Sequence, residues 1–255
     1  MHEEVMERPA HGAFRTLHYG DDAAQCGDLY LPQGTRPPVV VLLHGGFWRM
    51  PHGRDQLHDV AVRLCERGFA VWNLGYRRVG APGGGWPGTL DDVARGIDHL
   101  ARVDAALDLD RVVLVGHSAG GQLALWAGAR RDAIVRASAV AALAPVCDLD
   151  ATHADGSGDG AVHAFLGGSP GEVPARYADA SPMRRLPLGV PQYIAHGDRD
   201  ELLPLAVTER YVAAARATGD NVDLDVIRNG GHMDFIDPDS AAFAALSPWL
   251  DHAFR

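Results

Sequence analysis

Arg111-Val112-Val113-Leu114-Val115-Gly116-His117-Ser118-Ala119-Gly120-Gly121-Gln122-Leu123-Ala124-Leu125-Trp126-Ala127 is the stretch that decides the fold. Its first five residues form a β-branched apolar run, the pattern of a strand covered on both faces. Its last six, Gln122 to Ala127, are mostly apolar with helix-forming alanine and leucine. Between them, Gly116 to Gly120 reads G-x-S-x-G, a sharp strand-to-helix turn that lifts a serine above the edge of a sheet. A side chain at either glycine would collide with the neighbouring strand or helix. Alone the pentapeptide is a weak signal; strand, turn and helix together are the context it requires. Ser118 is therefore the candidate nucleophile.

Outward from this stretch, strand-like and helix-like segments alternate. Val39–Leu43, Phe69–Leu74, Ala139–Ala144, Val190–Ala195 and Val222–Ile227 repeat the short apolar run. Leu57, Val60, Ala61, Leu64 and Cys65 share one helical face, with Gly68 as the stop. Leu90, Val93, Ala94, Ile97, Leu100 and Ala101 share another. Tyr211, Val212 and Ala215 mark a further helix, and Phe243, Leu246 and Leu250 a last one. Alternation with fully apolar strands predicts an α/β fold: a mostly parallel central sheet with helices on both faces. Phe14–Tyr19 and Gly27–Leu31, separated by Gly20-Asp21-Asp22, predict an antiparallel hairpin at the sheet edge. Residues 148–189, after the sixth strand, break the rhythm and predict a small lid or a loosely structured insertion, with a short helix around Glu172 to Asp179. The whole chain, 1–255, is expected to form one domain.

The remaining chemistry is placed by strand ends. His44-Gly45-Gly46-Phe47-Trp48 follows the Val39–Leu43 strand. An oxyanion formed by serine attack needs preplaced N–H donors, and Gly46, Phe47 and Ala119 are the candidates. His44 reads as a hydrogen-bonded loop anchor. Thirteen histidines make the mere presence of one uninformative. His232, after the Val222–Ile227 strand, lies on the same sheet edge as Ser118 and is the candidate base. Asp198, Asp200 and Glu201 follow the preceding strand and compete for the acid. Asp198 suits a tight turn that bonds backbone N–H groups, and Asp200 reaches further along the loop. Trp48 and Trp86 lie in loops on the same side and are candidate substrate-binding residues, whereas Trp72 and Trp126 read as core. The acids and histidines from Asp148 to His163 read as a solvated loop rather than a cation site. Gly83-Gly84-Gly85 reads as a flexible loop, because no Lys-Ser/Thr follows it.

In these motifs the sequence resembles the α/β-hydrolase superfamily, in its small esterase and lipase-like branch with a His-Gly-Gly oxyanion loop. His44 to Trp48 is similar to the His-Gly-Gly-x-Trp signature of kynurenine formamidases. Gly75-Tyr76-Arg77, Trp86-Pro87 and Leu90-Asp91-Asp92-Val93 resemble a segment shared with related esterases. His196-Gly197-x-x-Asp200 resembles the acid loop and Gly231-His232 the histidine loop. The resemblance implies a Ser118, Asp200, His232 triad in the expected order, with Gly46, Phe47 and Ala119 forming the oxyanion hole. It departs from hormone-sensitive-lipase-like esterases, which carry a third glycine where Phe47 stands. The implied function is cleavage of small carboxylic esters without a cofactor or metal. An arylformamidase and a non-catalytic binding protein on the same scaffold are the alternatives.

Composition narrows the partners. The 255 residues are 47% hydrophobic and 22% charged, a globular balance, and the net charge of −10 with no basic run argues against nucleic acid. No run approaches 18 apolar residues, so no membrane span is expected. Met1 to Pro9 lacks a secretory pattern. Cys26, Cys65 and Cys147 lack CxxC spacing, so neither a disulfide nor a zinc framework is expected. A cytoplasmic protein acting on a small ester or amide follows, and either a monomer or a homodimer fits.

Overall fold

The computed structural model describes residues 12–255; the reading of Met1 to Pro9 lies outside them. Eight strands form one sheet: β1 (Arg15–His18), β2 (Cys26–Tyr30), β3 (Pro38–Leu43), β4 (Ala70–Leu74), β5 (Asp108–His117), β6 (Ala139–Leu143), β7 (Gln192–Gly197) and β8 (Val222–Ile227). Their spatial order is β1-β2-β4-β3-β5-β6-β7-β8. β1 pairs antiparallel with β2, and β2 with β4; the other pairings are parallel. The predicted hairpin is thus present on the sheet edge.

The apolar runs are explained by cover on both faces. Val39, Val41 and Leu43 belong to one core, and Val40 and Leu42 to the other, as the two-residue period of a strand demands. Helices α1 (His58–Glu66) and α8 (Ala241–Ala253) cover the second core. Helices α2 (Gly88–Asp98), α3 (Ala119–Gly128) and α7 (Leu205–Ala217) cover the first. Gly68 stops α1 as expected. It takes φ +95°, its N–H donates to the Cys65 carbonyl, and the Phe69 N–H reaches back to Leu64, the paired bonds of a Schellman cap.

The 148–189 segment is helical rather than loose: α4 (Leu149–Asp155), α5 (Ala161–Leu166) and α6 (Pro174–Ala180), then a 3-10 turn over Pro182–Arg185. Its acids are engaged locally. Asp148 caps α4 through the N–H groups of Asp150 and Ala151, and Asp150 pairs with Arg184 at 2.6 Å. The solvated-loop reading missed this helix because Gly and Asp lowered the apparent propensity, while buried Leu149, Val162 and Phe165 fix the segment by packing. The Gly83–Gly85 stretch is likewise a packed turn, not a flexible loop. A Cβ at Gly84 would overlap the Arg78 backbone, and the Gly85 N–H donates to Thr89 Oγ1.

The order of strands places the site. From β3 the chain moves outward to β4, then returns to β5 on β3's other side. That reversal opens a crevice at the carboxyl ends of β3 and β5, the usual ligand position in such sheets. The His44 loop leaves β3 there, and Ser118 leaves β5.

Candidate active site

Ser118 adopts φ +56° and ψ −119°, a conformation rare for a residue with a side chain and characteristic of strained functional turns. The surroundings hold it there. The Ser118 N–H donates to the Leu143 carbonyl, and its own carbonyl accepts from Gly121 and Val146. A Cβ at Gly116 would overlap the Gly120 carbonyl, and one at Gly120 would overlap the Leu43 carbonyl. Both glycines are required by close approach, as the sequence predicted. Ala119 opens α3, so its N–H has no acceptor within the helix.

The loop after β3 lies against this turn. A Cβ at Gly45 would stand 3.1 Å from Ser118 Cβ. Gly46, Phe47 and Trp48 follow at φ +100°, +54° and +55°, a run of left-handed residues that rotates successive N–H groups. His44 is the anchor it was expected to be. Its Nδ1 donates to the Gly45 carbonyl at 2.8 Å. Its ring stacks on Tyr76 at 4.2 Å, and the Tyr76 hydroxyl donates to its carbonyl. Burial lowers the His44 pKa to about 3, which keeps the ring neutral.

On the next two strands, His232 Nδ1 lies 2.7 Å from Asp200 Oδ2. With Nδ1 donating to the carboxylate, the neutral ring leaves Nε2 free to accept a proton. Asp200 Oδ1 accepts the N–H groups of Leu202 and Leu203. Burial would raise the Asp200 pKa, but the bonds from His232, Leu203 and Leu202 outweigh it and hold the carboxyl below its usual value. Of the three candidate acids, Asp200 is the one that meets His232. Asp198 accepts the Asn229 N–H at 2.6 Å and staples the acid loop to the histidine loop, while Glu201 is exposed. Gly197 lets those loops touch, since a Cβ there would overlap the Gly230 carbonyl.

Of the two candidate tryptophans, Trp48 is buried and Trp86 half-buried. Trp48 is 1% exposed. Its indole stacks on Phe165 at 4.6 Å and its Nε1 donates to Gln122 Oε1 at 2.9 Å. It props the loop from beneath rather than facing a substrate, because Phe165 of α5 fills the space beside it. Trp86 donates Nε1 to Asp179 Oδ2 at 2.8 Å and lies under the Arg176 guanidinium at 4.7 Å, so it ties α6 to the main body. Trp72 and Trp126 are core, as read.

Sequence reasoning missed three buried polar residues. Gln122 accepts from Trp48 and donates to the Ala180 carbonyl, joining α3, the His44 loop and the insertion. His196 shares its Nε2 side between the Leu203 carbonyl at 3.1 Å and Asp200 Oδ2 at 3.4 Å. His117 Nε2 bonds the His232 carbonyl at 2.9 Å. A polar residue in a predicted helix start or a buried strand end was the available signal; the partners of Gln122 and His117 are distant in sequence, whereas those of His196 lie in the loop that follows it. Among the described residues, no group of three or more His, Cys, Asp or Glu side chains is arranged to hold a metal.

An eight-stranded, mostly parallel sheet with a strained serine at the end of β5 and acid and histidine loops after β7 and β8 defines an α/β-hydrolase. Residues 27–214 match the BD-FAE family, and the chain belongs to that esterase-like family. It is 27% identical over 204 residues to esterase LipQ of Mycobacterium tuberculosis, covering 74% of this chain and 48% of that protein. It is 30% identical over 111 residues to a kynurenine formamidase of Meyerozyma guilliermondii, covering 44% of this chain and 41% of that protein. The chain thus spans about half the length of these curated relatives. In fold it is similar to a truncated carbohydrate esterase from gut microbiota, with a TM-score of 0.82, 19% identity, and coverage of 96% and 98% of the two chains.

Proposed function

We propose that this α/β-hydrolase is a serine carboxylesterase acting on small carboxylic esters. The observation that carries the proposal is the 2.7 Å His232–Asp200 pair on the sheet edge where β5 delivers Ser118. In this reading His232 takes the Ser118 proton as Oγ attacks the acyl carbon, and Asp200 holds the imidazole tautomer and stabilises the imidazolium. The N–H groups of Gly46, Phe47 and Ala119 receive the oxyanion. The alcohol leaves with the proton from His232, and water cleaves the acyl-enzyme through the same base. Ester chemistry is supported by the esterase LipQ likeness and by the fold shared with a carbohydrate esterase.

The test is p-nitrophenyl acetate hydrolysis followed in the burst phase. Wild type should release one nitrophenolate per enzyme in the burst, and Ser118→Ala should lose the burst and about 10⁴-fold or more of kcat. Near-wild-type turnover by the variant overturns the mechanism. A second reading, cleavage of N-formyl aryl amides, is favoured by His44 to Trp48 and the kynurenine formamidase likeness. The ratio of kcat/KM on a formanilide to that on a short ester decides between the two. No turnover of either substrate favours a binding role.

A further inference from the structure

We propose that His117, the variable residue inside the Gly116–Gly120 turn, is a positioning residue that locks His232 and the His44–Trp48 loop onto Ser118. The proposal rests on the serine-hydrolase reading of the site.

Three contacts support it. His117 is 4% exposed, and its Nε2 lies 2.9 Å from the His232 carbonyl, 115 residues away in sequence. A carbonyl only accepts, so Nε2 carries the proton and donates. The rings of His117 and His232 lie with centroids 4.8 Å apart. On the other side, a Cβ at Gly45 would stand 3.2 Å from His117 Nδ1, so the ring also abuts the loop expected to supply an oxyanion donor. One imidazole therefore touches the backbone of the base and the loop after β3, and is itself bonded in sequence to the nucleophile.

This bond matters because the other long-range bonds of the histidine loop run to the acid loop. Asn229 N–H donates to Asp198, the Arg199 N–H donates to the Gly230 carbonyl, and His232 donates to Asp200. Those contacts fix β7 and β8 to each other. The His117 bond fixes that pair of loops to the turn on β5. Burial, reinforced by His232 nearby, lowers the His117 pKa to about 3, so the ring stays a neutral single donor at working pH.

The experiment has a catalytic arm and a structural arm. His117→Gln keeps an N–H donor at the reach of Nε2; His117→Leu removes it; His117→Asn keeps a donor too short to reach. The expected result is a fall of about 10- to 100-fold in kcat for His117→Leu with KM within about 2-fold, since an ångström-scale misplacement costs this much. The rate of Ser118 modification by a fluorophosphonate should fall in parallel. His117→Gln should recover to within about 5-fold of wild type, and His117→Asn should not. Should the leucine variant fail to fold, the Gln-against-Asn comparison carries the test. Unchanged kcat in His117→Leu, or equal kcat in Gln and Asn, overturns the proposal.

The structural arm is ¹⁵N-histidine NMR of the Ser118→Ala protein, in which no chemistry is required. A neutral His117 with a slowly exchanging Nε2–H is expected. An Nδ1–H tautomer, or an Nε2–H in fast exchange, overturns the tether. Loss of the serine mechanism would appear instead as retained turnover in Ser118→Ala, with the NMR result unaffected.

Discussion

At the residue scale, the two loop acids are told apart by which carboxylate meets a histidine. Asp198 and Asp200 are two positions apart on one loop, and their partners separate them. Asp200 holds an imidazole, and Asp198 holds a backbone N–H. Asp200→Asn should lower kcat about 10³- to 10⁴-fold, because an amide favours the wrong histidine tautomer. Asp198→Asn should cost less than about 10-fold, since an amide oxygen still accepts the Asn229 N–H. Steady-state kinetics on p-nitrophenyl acetate checks both. A larger loss in Asp198→Asn than in Asp200→Asn would reverse the assignment. Asp200 is favoured over Asp198 already in the sequence, by its reach along the loop and by the likeness of His196-Gly197-x-x-Asp200 to an acid loop. The 2.7 Å contact to a histidine 32 residues away supports that choice.

At the element scale, the three-helix insertion is seated on the loop that carries Phe47 and Trp48. Arg49 Nη2 donates to the Asp159 carbonyl at 2.9 Å, and Gly158 lies against the Phe47 ring, where a Cβ would stand 2.5 Å from it. Ser118 is 3% exposed and His232 8%, so both lie buried at the sheet edge. Gln122 is the buried link between the layers. Gln122→Leu should strand the Trp48 N–H and the Ala180 carbonyl, each at a cost of about 1–3 kcal/mol. Urea unfolding measures it: the midpoint should fall with little change in slope. A loss below about 0.5 kcal/mol would show that both groups find other partners.

At the scale of the whole molecule, burial of neutral histidines makes stability depend on pH. Burial lowers the pKa of both His44 and His117 to about 3, and lowers that of His196 against the opposing pull of Asp200. In the unfolded chain these rings take up protons near pH 6.5, while in the folded protein they do not. The unfolded state then binds more protons, so stability is full above about pH 6.5 and declines as pH falls toward 3. His44 and His117 should each contribute about 2 kcal/mol of that loss by pH 5. Thermal melts between pH 8 and pH 4.5 check the slope. His117→Gln should flatten it, and a Tm unchanged between pH 7 and pH 5 would contradict the buried neutral rings. Asp200, whose pKa is lowered, acts in the same direction at lower pH. Its contribution is present above the ordinary carboxylate range and is lost as pH falls through its folded value.

The sequence by itself determined the sheet, the edge hairpin, the serine turn and the strand ends that carry the acid and the histidine. These follow from local rules: a two-residue alternation of cover, a helix period, glycines where backbones nearly touch, and a fixed order of loops along one edge. Tertiary structure alone decided the burial of Trp48 behind Phe165, the helices α4 and α5, and the partners of His117 and Gln122. The Trp48, His117 and Gln122 contacts join segments tens of residues or more apart. A loop tryptophan and a buried histidine read alike in one dimension. They acquire distinct roles only when packing chooses which neighbour fills the space beside them.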